Sequence, residues 1–251
     1  MSNLAASCFA ISSLSPPPAA RTTQGTHRTD EYYRRKNQAL EYSTNLRVIS
    51  RTFGSLVADF MREVMIQQLS KNQNWAKIAP FLGVVATIGL FWFFRPSQAL
   101  FWAFINIPLY LFHQTEEHLW PGGFKHYVNH VINKLPEGKE TLTDIKVFWV
   151  NVLLVWVAFI VFGALSLVNI GFGLLIIVFS IINCLTHMVQ GARRKEWNPG
   201  LGMASLQFVI SIYAAYFVTA NGLSHPVIWW IATVFLSAFV HVLVFRIVLR
   251  E

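Results

Sequence analysis

The chain is short of charge. Only 13% of its 251 residues are Asp, Glu, Lys or Arg, against 54% hydrophobic and 15% aromatic, a balance too apolar for a water-soluble domain of this length. Cysteine is scarcer still. Cys8 and Cys184 exclude a disulfide framework and a paired-cysteine metal site, and Cys184, inside an apolar run, reads as a small core residue. Acid is missing from the N-terminus, where no Asp or Glu precedes Asp30 and a Ser-rich stretch leads into the run Pro16-Pro17-Pro18. Such a segment cannot build a core. The formal charge of +8 does not indicate nucleic acid, because the basic residues lie in the N-terminal segment and between apolar runs rather than on one folded face.

What is present instead is a series of apolar runs close to the roughly 20 residues needed to cross a bilayer. We expect about six spans, over 77–94, 97–117, 147–167, 170–190, 200–220 and 226–248, so the fold class is all-α, a polytopic transmembrane helix bundle over residues 76–251. The second span has the weakest boundary, since it contains Pro108. Residues 1–45 are expected to be a disordered or targeting tail. Its Ser-rich, acid-poor character with Arg21 and Arg28 resembles an organellar transit peptide, and it lacks the long apolar stretch of a secretory signal. Over residues 46–75, Ile49, Phe53, Leu56, Val57, Phe60, Val64 and Leu69 recur at helical spacing among Arg47, Arg51, Arg62 and Lys71, which predicts a basic amphipathic helix at the membrane interface or packed on the loops. Lys and Arg flank alternate connections, at Arg34–Lys36, Lys125–Lys146 and Arg193–Lys195, so the positive-inside rule puts both termini in the cytoplasm. Tryptophans at the span ends, among them Trp75, Trp92, Trp120, Trp149 and Trp197, suit the headgroup region, and Trp156 is the exception inside a span.

The most informative string is Tyr110-Leu111-Phe112-His113-Gln114-Thr115-Glu116-Glu117-His118, which sets a histidine and two carboxylates at the end of an apolar helix. Ionisable groups there are expensive and tend to pair, face the bundle interior or mark a functional path. His113 and Glu117 are one turn apart and can approach one metal ion from one helix face, with Asn106 and Tyr110 continuing that face. Asn183 and His187 are likewise one turn apart near the end of the fourth span. With alternating spans, His113, His187 and His241 fall at one depth, and Asn151 joins that layer. His241 reads better as a packing residue, and His126 with His130 as a plain polar surface. Arg194–Gly200 reads as a turn broken by Pro199-Gly200 before the fifth span.

The strings His113-x-x-Glu116-Glu117, Phe148-Trp149-Val150-Asn151, Asn183-x-x-x-His187 and Arg194-x-x-x-Asn198-Pro199-Gly200-Leu201, each at a successive span end, resemble the HXXEE family of integral membrane proteins over roughly residues 80–245. The family is named for its motif and not for a reaction. The resemblance singles out His113, Glu116, Glu117, Asn183 and His187, and more weakly Asn151. It does not extend to His118, His126, His130 or His241.

The expected function is a membrane-embedded metal-dependent enzyme, a hydrolase acting on a lipid or other hydrophobic small molecule at the cytoplasmic side of the bilayer. Its metal ligands would be His113, Glu117 and His187, its general base Glu116, and Asn183 would orient the substrate or His187. The ion would be divalent, zinc before iron, because two histidines and a carboxylate form an open zinc site. Three alternatives stay open: an iron oxygenase or desaturase, a metal-free isoprenoid cyclase or isomerase, and a transporter or non-catalytic membrane protein.

Overall fold

Helices account for all regular structure among the described residues, which are 63–249 of the computed structural model. The tail over 1–45 and most of the expected amphipathic helix lie outside them. Residues 63–70 are helical, but the helix does not run on to 75. Asn72 and Gln73 take left-handed φ values of 50° and 55° and break it, and the chain continues through a kinked 3-10 helical stretch, Lys71–Ile78, into α1 (Ala79–Phe93).

The expected second span is the main correction. It consists of two short helices, α2 (Ala99–Phe104) and α3 (Asn106–His118), because Pro108 has no N–H to give the carbonyl of Phe104 and the ladder loses a rung there. The remaining spans are α4 (Asp144–Ser166), α5 (Gly171–Arg194), α6 (Leu201–Asn221) and α7 (Pro226–Leu249). Among the described residues, five helices are therefore long and apolar enough to cross a membrane, counting the bent stretch Glu63–Phe93. The chain is a multi-pass membrane protein. Punctuation explains the ends: Phe94, two residues before Pro96, is extended and stops α1, and the Thr143 hydroxyl caps α4 by accepting from the Lys146 N–H.

α5 is the central helix, burying a face that runs from Gly171 to Gly191. In lipid, helices associate through close packing of small residues more than through hydrophobicity. Gly173 is the clearest case, since a Cβ there would lie 2.5 Å from the Cβ of Ala103 on α2. α3 is held to α6 by polar contacts: the fully buried Asn106 accepts hydrogen bonds through Oδ1 from Gln207 Nε2 (3.0 Å) and Ser211 Oγ (2.7 Å). Asn106 therefore serves packing and does not extend the site.

At one end of the bundle the connections form a small layer of their own. Trp75, Val128, Leu142, Val147 and Phe148 make one buried cluster, so Trp75 is core rather than an interfacial anchor. Its ring packs edge-on against Trp156 and His118. Within the connection, Asn129 donates to the Leu142 carbonyl and accepts from the N–H groups of Thr141 and Leu142. Asp144 joins the layer to the bend, with Oδ2 accepting from the Asn72 N–H and Oδ1 lying 2.8 Å from Lys125 Nζ, which is also 2.9 Å from Glu140. Partial burial works against the Lys125 charge, and the two carboxylates outweigh it and raise its pKa.

Asn106→Leu should leave the buried polar groups of Gln207 and Ser211 without their acceptor and lower stability by about 1–3 kcal/mol. Thermal unfolding of the detergent-solubilised protein is the check, with a melting temperature below that of wild type expected.

Candidate metal centre

Glu117, one turn beyond His113 on α3, points into the bundle where the two residues' partner helix α5 brings His187. His113, Glu117 and His187 are all buried, and ligand atoms of the three lie within 4.8 Å of one another. Glu117 Oε1 is 3.0 Å from His187 Nε2 and 3.5 Å from His113 Nε2. Ligands about 2.0–2.1 Å from a tetrahedral zinc stand about 3.3 Å apart, so the spacing suits a single ion.

His187 is oriented by a residue that the sequence reading assigned to a plain turn. Asn198, 1% exposed, donates from Nδ2 to the His187 carbonyl and lies 2.9 Å from His187 Nδ1 through Oδ1. The first bond fixes which end of the amide is oxygen, so Nδ1 must carry the hydrogen. In the neutral ring Nε2 then aims a lone pair at the Glu117 carboxylate. Two electron-rich atoms 3.0 Å apart require a proton or a cation between them. A hydrogen-bonded second nitrogen is also the usual arrangement of a metal-binding histidine.

The other expected residues divide. Asn183 reaches His113, with Nδ2 3.2 Å from Nε2, instead of His187. Glu116 does not join the cluster: both its oxygens are taken by the backbone N–H groups of Gly202 and Met203, so it caps the start of α6 where a general base was expected. Asn151 is buried beside the site and accepts from Gln114 Nε2 at 2.8 Å, while Trp156 donates its indole N–H to Gln114 Oε1. That bond accounts for a tryptophan inside a span. α4 is widened to a π-helix over Trp149–Trp156 at this point, a distortion that recurs at functional sites.

Two further residues take places that their sequence reading did not give them. The His118 side chain is buried, with Nε2 3.4 Å from Glu117 Oε2, which makes it the third imidazole around that carboxylate. Gly200 has φ +94°, and a Cβ there would lie 2.7 Å from Glu117 Cγ and about as close to both site histidines. The Asn198-Pro199-Gly200 string was a usable signal, because an Asn and a positive-φ Gly after a polar span end can close a site. His126, His130 and Glu137 also group together, but exposed or half-exposed, with His130 Nδ1 bonded to the Leu135 carbonyl.

A cavity of about 150 Å³ opens beside Glu117, Asn183 and His187, walled otherwise mainly by apolar residues such as Phe124, Val128 and Phe179. The arrangement offers a buried His–Glu–His triad, spaced so that it could hold a cation, facing an apolar chamber.

A family model described as a protein of unknown function with HXXEE motif matches residues 104–216, a stretch holding the triad, Glu116, Asn183, Asn198 and Gly200. No curated protein and no solved structure matches the chain.

Gly200→Ala should lower the melting temperature by more than Gly138→Ala. Both glycines have positive φ, but nothing lies within 4 Å of a Cβ at Gly138. The backbone cost of about 1–2 kcal/mol is common to both, so the excess measures the collision with Glu117.

Proposed function

We propose that the HXXEE motif, whose family model matches residues 104–216, builds a membrane-embedded metal-dependent hydrolase for lipids or other hydrophobic molecules. The observation that carries this reading is the convergence of His113 Nε2, Glu117 Oε1 and His187 Nε2 in a buried site beside an apolar cavity. His113, Glu117 and His187 would hold a divalent ion, zinc before iron, with an open position for substrate. Zinc so held would supply an activated water and polarise a carbonyl. In the reaction class this suits, the water oxygen bonds to an acyl carbon, the C–O or C–N bond breaks, and the leaving group takes the proton. Asn198 fixes His187, Glu116 fixes the loop that covers the ligands, and Asn183 presents an amide to the incoming head group once His113 turns its lone pair to the ion. As it stands, that amide faces the same His113 nitrogen, which favours a second reading, acid–base chemistry by Glu117 and His187 without metal.

Elemental analysis of the purified protein after zinc or iron supplementation decides between them. We expect about one zinc per chain. His113→Ala, Glu117→Ala and His187→Ala should each weaken zinc binding by more than about 100-fold, and Asn198→Ala by about 10–100-fold, as for an outer partner. Folded protein that takes up neither metal would leave the acid–base reading.

With α2 and α3 together making one broken crossing beside the five long helices, we propose further that both termini are cytoplasmic and that the site opens toward that side. Lys125, Lys134, Lys139, Arg193 and Arg194 flank the end of the bundle that holds the triad, while 167–170 carries no charged residue. Single cysteines at Lys139 and at Val168, in a background lacking Cys8 and Cys184, should react with an impermeant maleimide from opposite faces of sealed vesicles. Labelling of Lys139→Cys from the non-cytoplasmic side would reverse the orientation.

A further inference from the structure

A second cavity, of about 250 Å³, lies between α4, α5 and α7, and its wall is apolar except for Ser237. It continues the first. Along α4 the first cavity takes residues between Val147 and Val155, and the second takes Leu154 to Phe162; along α5 they take 179–190 and 175–179; along α7, 241–245 and 236–240. All three helices step in the same direction, away from the triad, and Val155 and Phe179 belong to both walls. From His187 to Leu175 the slot runs twelve residues of α5, about 18 Å at 1.5 Å per residue. Taken together the two cavities lie at the low end of the roughly 300–1,000 Å³ of pockets that enclose drug-sized ligands, and the slot is long for that volume, so it suits one extended hydrocarbon chain.

The junction carries a polar requirement. His241, 8% exposed and packed at a tilt against Phe179 with ring centroids 4.5 Å apart, has Nδ1 2.7 Å from the Ser237 carbonyl. A carbonyl only accepts, so Nδ1 bears the hydrogen and Nε2 presents a lone pair. His241 Nε2 and Ser237 Oγ are both buried without a partner, a costly state at membrane depth. An alkane or a simple ester has no hydrogen to give Nε2.

We propose that the slot binds a single-chain amphiphile, its tail in the second cavity and a hydroxyl or amide N–H of its head donated to His241. Calling this ligand the substrate rests on the hydrolase reading above.

The test uses the full chain in lipid nanodiscs and two hexadecanoyl probes with a diazirine on the chain, an ethanolamide and a methyl ester. The ethanolamide should photolabel residues 154–162 of α4 and 236–240 of α7, and should bind about tenfold more tightly than the ester, the worth of one hydrogen bond. His241→Phe should abolish that preference, and His241→Gln, which retains an acceptor, should restore part of it. Ala158→Trp, filling the second cavity away from the triad, should weaken both probes. Label spread over the lipid-facing Ile231, Phe235 and Phe239, or a preference that survives His241→Phe, would overturn the proposal. Zinc binding without probe binding removes this inference alone. Probe binding by a chain that takes up no zinc upholds the slot and removes the metal reading.

Discussion

A carboxylate buried at the end of a membrane helix has to be neutralised within a few ångströms, and at Glu117 this requirement organises its surroundings. Its two oxygens face His187 and His113 on one side and His118 on the other. His187 can serve only in one tautomer and one orientation, which Asn198 holds. Asn198 in turn needs the chain to reverse after α5, through the left-handed Lys195 and Gly200. Gly200 must lack a side chain because the reversal lies directly on Glu117. Glu116 then secures the far end of the loop by capping α6. Adjacent carboxylates in one motif thus perform different tasks, the first holding the cover and the second lying beneath it.

The helices and part of the site were legible because they depend on periodicity. Apolar runs mark the spans, and spacing of four residues puts His113 with Glu117 and Asn183 with His187. Alternating topology is enough to bring His187 to the same depth. What was not legible depends on side-chain direction. Glu116 and Glu117 are neighbours, yet a helix turns them about 100° apart, so one faces α6 and the other the triad. Nothing in spacing says that Asn183 prefers His113, or that Trp156 is tolerated inside a span because Gln114 accepts its N–H. The single-span reading of 97–117 missed the break before Pro108, where composition is apolar enough to hide a lost hydrogen bond.

The layer at the triad end gives the site a cover that membrane helices alone would not. Phe124, Val128 and Leu142 wall the cavity from this layer, and the same residues or their neighbours pack on Trp75 and Phe148. Asn129 stitches the connection closed and Lys125 ties it to α4 through Asp144. A hydrophobic molecule reaching the triad therefore meets apolar side chains on the extramembrane face as well as among the helices. Such an enclosure keeps bulk water from the charged groups and strengthens every interaction among them.

Unpaired polar atoms at membrane depth are costly, and apolar replacements of similar size would stabilise such a bundle. The distribution of these atoms is therefore informative. His113 Nδ1 and both ring nitrogens of His118 are buried without hydrogen-bond partners, the His118 approach to Glu117 having the distance but not the geometry of a bond. His241 Nε2 and Ser237 Oγ are the corresponding pair at the throat of the slot. Asn106, Gln207, Ser180 and Trp75 have unpaired atoms too, but Asn106 and Gln207 also make the bond that holds α3 to α6. The throat pair has no such return from its free atoms. Sequences break local rules chiefly where function requires it, so the polarity gradient, from a carboxylate among imidazoles to a wall with a single hydroxyl, favours a ligand with a polar end and an apolar one.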